Sequence, residues 1–293
     1  MALSTESSPL RSRQTWWKSR VHGNLSGMVR FLRVFVDVNR RASAFFKPYF
    51  PQSKIQIFSL YDKIVAECLN RNPGIVVVDV GGGKRCRFAK YRKSELKSKI
   101  VCVDVSMTEM QENTDVDEKR VADVTCALPC ADAEADLLVS SSVLEHLKAL
   151  PPFVSECARV LKDDACFVHI FSCKFAPFAL LNQALPNSIS KFLLSLVFPG
   201  KNLGYRAFYD HCYPSAVRRL LESNGLKVQR LVVSYSQSDY FDFLFPVFLT
   251  SALYELALWT LGMTNLCAYV LVVARKELRK SPVEGSTVKR SKA

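Results

Sequence analysis

Residues 75–83 read Ile-Val-Val-Val-Asp-Val-Gly-Gly-Gly, and this stretch decides the fold class. An unbroken β-branched run with one acidic residue is typical of a parallel strand that is buried on both faces. The three glycines that follow directly, Gly81, Gly82 and Gly83, predict a tight turn in which the backbone can approach a ligand closely. We therefore expect the first strand of an α/β sheet to end at a binding site.

Further strand candidates alternate with helical or loop segments along the chain. They lie at 100–105, 121–124, 136–140, 165–172, 228–236 and 266–274, and a helix at 57–70 precedes the first strand. This alternation predicts an α/β fold with a doubly wound, mostly parallel, seven-stranded sheet whose last strand is antiparallel. At 293 residues the chain can bury one substantial core.

The segments outside the α/β domain at 57–275 differ from it in composition. Residues 1–22 are rich in Ser, Arg and Lys without an apolar period, which predicts a mobile basic arm, and 276–293 resemble a basic disordered tail. Within the extension at 23–56, arginines recur at helical spacing with apolar residues on the other side. Such an amphipathic helix could lie on a membrane or cover the domain, and both interpretations stay open.

The net charge of +13 is concentrated at the two ends of the chain. Positions 1–50 hold nine basic and two acidic residues, and positions 275–293 hold seven basic and two acidic residues, so these flanks carry nearly all of the excess. A neutral folded part with basic ends is typical of attachment to anionic lipid or RNA, and solubilising tails are the alternative.

Cysteine spacing and the N-terminal sequence bear on the compartment. The ten cysteines form no Cys-x-x-Cys pair and only four histidines accompany them, so we expect neither a metal site nor a disulfide scaffold. A reducing compartment is the simpler interpretation. Because residues 1–17 lack a secretory apolar run, we expect a cytoplasmic protein.

Acidic residues at two later strand ends indicate what the glycine turn binds. In a doubly wound sheet, ligands lie beyond the carboxyl ends of the strands. Asp104 ends the second strand, where it could accept hydrogen bonds from both ribose hydroxyls of an adenosine, and Asp123 after the third could accept from the adenine amino group. A helix after the glycine turn should offer N–H groups to a carboxylate, with Lys84, Arg85 and Arg87 adding positive charge.

Four short stretches in this order resemble class I, Rossmann-like methyltransferases of the small-molecule, type 11 branch. They are Val78 to Gly83, Val103 to Ser106, Ala122 to Val124 and Ser142 to Leu147. The resemblance covers about residues 57–275 and implies methyl transfer from S-adenosylmethionine. It also implies cofactor contacts through Asp79, Gly81, Gly82, Gly83, Asp104, Val105, Asp123, Val124 and Ser140.

Three competing interpretations are weaker. A nicotinamide dehydrogenase needs Gly-x-Gly-x-x-Gly, but counting from Gly81 the last position is Cys86. Alternatively, Asp104 and Asp123 could merely cap loops. Methyltransferases that act on exocyclic base amines usually carry Asn or Asp with Pro-Pro and an aromatic residue after strand four, where this chain has three serines at 140–142. Nucleic acid is therefore a disfavoured substrate.

Two apolar inserts, Lys174 to Asn202 and Tyr240 to Gly262, follow strands whose ends share the cofactor edge. They predict a lipid-like acceptor, such as a lipid-linked saccharide or isoprenoid, and peripheral association with an anionic membrane surface. Inserts that pack on each other or form a homodimer interface are the alternative. A single membrane crossing at 240–262 is disfavoured, because it would contain Asp242 and Glu255 and would separate two paired strands.

The chemistry requires an acceptor aligned with the methyl–sulfur bond and, for some acceptors, a base. His146 after strand four and His211 are the candidate bases. A membrane-bound scaffold that holds the cofactor without transferring methyl groups is the second class of function that the sequence leaves open.

Overall fold

The structure, a computed structural model, describes residues 30–54, 56–185 and 205–278. The expected basic arm at 1–22, all but three residues of the tail at 276–293, and the second half of the first insert lie outside the described residues.

Seven strands form one sheet in the order β3-β2-β1-β4-β5-β7-β6, and β7 runs antiparallel to both of its neighbours. The strands are β1 Val76–Val80, β2 Lys99–Asp104, β3 Glu118–Val121, β4 Ala135–Ser141, β5 Leu161–Ser172, β6 Leu226–Ser234 and β7 Tyr269–Lys276. This confirms the doubly wound sheet with its antiparallel last strand. The strand order reverses between β1 and β4, so a crevice opens at their carboxyl ends.

Helices cover both faces of the sheet. They are α1 at 30–46, α2 Ile57–Leu69, α3 Met107–Gln111, α4 Leu150–Val160, α5 Pro177–Ala184, α6 Pro214–Ser223 and α7 Phe245–Thr260. Tyr61 of α2 is buried against one face, and Phe153 of α4 and Val217 of α6 are buried against the other. Among the described residues, no helix is long and apolar enough to span a membrane.

The helix expected between β1 and β2 does not form, and that prediction was wrong. Residues 84–98 contain two short 3-10 turns, Ala89–Tyr91 and Ser94–Leu96, and no α-helix. Six of the ten residues at 84–93 are Lys or Arg, and like charges one turn apart oppose a helix. Three of these side chains also form ion pairs with different segments of the chain. Lys84 pairs with Glu112, Arg87 with Asp62 and Arg92 with Asp117.

Strand β3 begins and ends three residues earlier than the sequence predicts. Its residues Glu118, Lys119 and Arg120 are charged because β3 is an edge strand, so the apolar pattern that marks a buried strand is missing. The strand ends at Val121. Asp123, expected within it, instead accepts hydrogen bonds from its neighbour Thr125 and turns the chain.

Helix α1 docks on the segment before α7 through its polar side. Asn39 accepts a hydrogen bond from the Phe245 backbone N–H at 2.8 Å, Arg40 pairs with Asp242 and Ser43 donates to the Asp242 carbonyl. Its large apolar residues face outward and are exposed, namely Phe31, Leu32, Val34, Phe35, Val38 and Phe45. Most of the apolar side of α1 is therefore exposed, although Phe46 at its end packs on Phe245 and the following Phe50 is buried.

The two apolar inserts contact each other in part. Phe178 of the first insert packs on Tyr240 of the second, with ring centroids 5.2 Å apart, and Phe248 of α7 is buried. Other large side chains on both inserts are exposed, among them Leu180, Leu181, Leu253 and Trp259. The inserts thus pack on each other in part, and their association with a membrane stays a prediction.

Candidate cofactor and active site

A cavity of about 520 Å³ lies at the carboxyl ends of β1, β2 and β4. Seven of the expected site residues line it, namely Gly81, Gly83, Asp104, Val105, Asp123, Val124 and His146. Topology brings these residues together, because parallel strands deliver their carboxyl ends to one edge of the sheet.

The glycine turn is shaped by close packing. Gly81 has φ +70°, and a Cβ there would lie 2.4 Å from a Val143 methyl. A Cβ on Gly82 would lie 2.7 Å from a carboxylate oxygen of Asp79 and 2.8 Å from the Cys102 sulfur. Neither position has room for a side chain, which is why the turn needs glycine at both.

The backbone N–H groups of this turn are already engaged within the protein. Gly81 donates to the Val103 carbonyl at 2.7 Å, and Gly83 donates to Asp104 Oδ2 at 3.1 Å. The third glycine, Gly82, does not line the cavity. The turn therefore gives the cavity its shape without offering an uncommitted donor to an anion.

Asp104 is held rigidly at the cavity floor. One carboxylate oxygen accepts from Gly83 and the other accepts from the Ser106 N–H at 2.9 Å. Each oxygen keeps a further lone pair, so the carboxylate can still accept from two adjacent hydroxyls. The fixed pair of acceptors matches a ribose diol.

Asp123 both caps a turn and lines the cavity. Thr125 donates to Oδ1 through its N–H at 3.0 Å and its hydroxyl at 2.6 Å. These hydrogen bonds lower the pKa of the Asp123 carboxyl, and the charge of Lys148 lowers it further. The loop-cap interpretation is thus correct for Oδ1, while Oδ2 has no hydrogen-bond partner within the described part of the chain.

Three expected cofactor residues lie outside the cavity lining. Gly82 and Asp79 pack behind the turn, and burial raises the pKa of Asp79 to about 7, with the Cys86 thiol lowering it and Asp104 raising it. The Ser140 hydroxyl is buried in a hydrogen bond with His169 Nδ1. Side chains alternate along β4, so Ser141 faces away from Ser140 and lines the cavity, together with Ser142, which follows the strand with φ +57°.

His146 can act as a base when its ring is neutral. It ends the 3-10 turn Leu144–His146 after β4, lines the cavity, and its Nδ1 lies 3.1 Å from the Arg206 carbonyl oxygen. Because a carbonyl can only accept, this contact places the ring proton on Nδ1. Nε2 then carries the lone pair that could take a proton from an acceptor.

His211 has a different environment. Its Nδ1 lies 2.8 Å from Asp210 Oδ1, and Asp210 Oδ2 accepts from the Leu150 N–H at the first turn of α4. His211 does not line the described cavity. The structure therefore gives the pair a role in capping α4.

One wall of the cavity comes from a segment far along the chain from the strand ends. Tyr205, Arg206 and Phe208 line it, and the N–H groups of Phe208 and Tyr209 both donate to the Glu145 carbonyl. These residues follow His146 by about sixty positions and form no local motif, so only the fold brings them here.

Comparison with known proteins adds to this geometry. Residues 78–169 match the family model described as a methyltransferase domain. The chain carries a methyltransferase domain. The matched residues include Gly81, Asp104 and His146, which line the cavity. No curated protein sequence matches the chain.

Solved structures share the fold of the methyltransferase domain. Geranyl diphosphate C-methyltransferase from Streptomyces coelicolor, in complex with Mg²⁺, geranyl diphosphate and S-adenosyl-L-homocysteine, is 14% identical with a TM-score of 0.50, covering 74% of this chain and 77% of that chain. The YcgJ protein from Bacillus subtilis is 15% identical with a TM-score of 0.49, covering 75% of this chain and 100% of that chain.

Proposed function

We propose that the methyltransferase domain binds S-adenosylmethionine in the 520 Å³ cavity and transfers the methyl group to a small acceptor, with His146 as the base. The observation that carries this proposal is the presence in one cavity of the glycine turn, the two strand-end acids and a histidine with its lone pair on Nε2. A nucleotide-like group and an acceptor proton can thus be held side by side.

Each wall of the cavity has a separate task in this reaction. Bound S-adenosylmethionine supplies a methyl group already activated on a sulfonium. Asp104 accepts from the ribose hydroxyls, and the Oδ2 of Asp123 accepts from the adenine amino group. His146 Nε2 takes the proton that the acceptor loses as its new bond to the methyl carbon forms. Orientation of the cofactor and the acceptor by rigid groups lowers the barrier further.

The cofactor assignment is tested by isothermal titration with S-adenosylhomocysteine and with NAD. We expect S-adenosylhomocysteine to bind and NAD to give no heat. Asp104→Ala should weaken S-adenosylhomocysteine by about 1.5 to 3 kcal/mol, the range for hydrogen bonds to a charged group. NAD binding without S-adenosylhomocysteine binding would contradict the proposal, and an unchanged affinity in the variant would show that Asp104 does not hold the ribose.

For the acceptor we propose an amphiphilic, lipid-like molecule taken from a membrane surface. Exposed apolar side chains on α1, α5 and α7 support this. Helices α5 and α7 belong to the inserts that follow the carboxyl ends of β5 and β6, and α1 docks on the second insert. The Streptomyces coelicolor enzyme of the same fold binds an isoprenoid diphosphate, so the fold is compatible with such an acceptor. Mass spectrometry of lipid extracts incubated with the protein and S-adenosylmethionine should reveal a product heavier by one methyl group.

A further inference from the structure

The methionine part of the cofactor ends in an α-carboxylate that needs donors. The glycine turn cannot supply them, because the N–H groups of Gly81 and Gly83 are bonded within the protein and Gly82 does not line the cavity. A helix N-terminus cannot supply them either, since residues 84–98 form no α-helix. The carboxylate must therefore find a cation elsewhere in the cavity.

The basic residues directly after the glycine turn are unsuitable. Lys84 is paired with Glu112 at 3.1 Å and Arg87 with Asp62 at 2.6 Å. Neither residue lines the described cavity, and Arg85 does not line it either. Their charge is directed away from the site.

Two other cations line the cavity, Lys148 and Arg206. Lys148 acts on Asp123, whose pKa it lowers, and so belongs to the adenine side beyond β3. Arg206 adjoins His146 through its carbonyl, on the side of the cavity where β4 ends. With the ribose on Asp104 and the adenine toward Asp123, the methionine part extends toward Arg206.

Arg206 is held in place before any ligand arrives. Its carbonyl accepts from His146, and its guanidinium lies 5.4 Å from the ring centroid of Phe208, whose own N–H is fixed to Glu145. Within the described part of the chain, no carboxylate pairs with this guanidinium. A planar guanidinium that is stacked but unpaired is well suited to bind a carboxylate through two parallel hydrogen bonds.

We infer that Arg206 binds the α-carboxylate of the cofactor and replaces the missing helix N-terminus in that task. This inference rests on the proposed function and names a residue that reaches the site from the chain between β5 and β6. Tyr205 beside it lines the same cavity as Asp104.

The test compares S-adenosylhomocysteine with its decarboxylated analogue, which keeps the adenosine and the amine. Titration calorimetry measures both dissociation constants for the full chain and for Arg206→Gln. We expect the variant to weaken S-adenosylhomocysteine by about tenfold to a hundredfold, the equivalent of 1.5 to 3 kcal/mol, and to change the analogue less than about twofold. Arg85→Gln and Lys148→Gln are the matched controls and should keep the preference for the carboxylate ligand.

The outcomes separate the two proposals. Wild-type protein that binds both ligands equally well, or an Arg206→Gln variant that weakens both equally, overturns the role of Arg206 and leaves the cofactor site intact. Loss of the preference for the carboxylate ligand in Lys148→Gln, and not in Arg206→Gln, also overturns the role of Arg206. Wild-type protein that binds neither ligand overturns the proposed function and this inference together. Arg206 is exposed, so thermal melting should show that the variant is folded.

Discussion

A histidine can remove a proton only if its unprotonated nitrogen reaches the reacting atom. His146 meets this condition through the Nδ1 contact to the Arg206 carbonyl, whereas His211 is directed at Asp210. His146→Gln should reduce turnover by about a hundredfold to ten thousandfold, the usual contribution of a general base, while changing S-adenosylhomocysteine affinity little. His211→Gln is the matched control and should keep turnover near the wild-type value.

The measurement is the rate of S-adenosylhomocysteine formation with the acceptor fraction identified by mass spectrometry. Full activity in His146→Gln would assign the proton to another group or to solvent. Loss of activity in His211→Gln but not in His146→Gln would identify His211, and not His146, as the base.

A buried histidine makes the free energy of unfolding depend on pH. Burial lowers the pKa of His169 to about 3, below the ordinary value of 6.5. Between these values the unfolded chain binds a proton that the folded chain does not, so stability falls as the pH falls from about 6.5 toward 3. From pH 7 to pH 4.5 the free energy of unfolding falls by about 2.5 kcal/mol through this group, because pH 4.5 lies about two units below the unfolded pKa and each unit contributes about 1.36 kcal/mol.

His169→Gln should remove this loss while keeping a polar partner for Ser140. Urea unfolding at both pH values gives the free energies, and the difference between variant and wild type cancels the other titrating groups. Identical pH dependence in the two proteins would contradict the assigned shift.

At the scale of elements, the turn after β1 restricts the residue at Gly81 in two ways, through a left-handed backbone and through a lack of room for a side chain. The energetic costs of the two restrictions can be measured separately. Gly81 has φ +70° and a Val143 methyl 2.4 Å from the position of a Cβ, while Gly225 has φ +73° and nothing within 4 Å. Gly225→Ala should cost about 1 to 2 kcal/mol, the left-handed penalty. Gly81→Ala should cost about 1 to 3 kcal/mol more, because Val143 must also move.

Denaturant unfolding of both variants tests this difference. Gly81→Ala combined with Val143→Ala should recover part of the additional loss, since the smaller side chain removes the contact. Equal destabilisation of the two single variants would show that the turn relaxes without resistance.

At the scale of the whole molecule, α1 presents aromatic and aliphatic side chains beside exposed arginines. Phe31, Leu32 and Phe35 are 68%, 51% and 43% exposed. We expect serine at these three positions to release the protein from vesicles of phosphatidylcholine and phosphatidylserine, because apolar burial holds an interfacial helix. Replacing Arg30, Arg33 and Arg41 with Gln should instead weaken binding by about 1 kcal/mol per charge and make it less sensitive to salt.

Vesicle flotation at low and high salt measures both effects. Binding that survives the serine changes would indicate that α5 and α7, and not α1, contact the vesicle. A wild-type chain that does not float with anionic vesicles would remove the membrane surface from the proposal and favour a water-soluble acceptor.

The sequence by itself determined the succession of seven strands along the chain, the glycine turn and Asp104, because these depend on local periodicity and on where a buried strand ends. Only the tertiary structure decided that residues 84–98 form no helix, since the ion pairs of Lys84 and Arg87 reach residues about 25 positions away. It also decided which nitrogen of His146 carries the proton and that Arg206 lines the cavity. Those features depend on contacts between segments about sixty residues apart, and no local pattern of residues encodes such contacts.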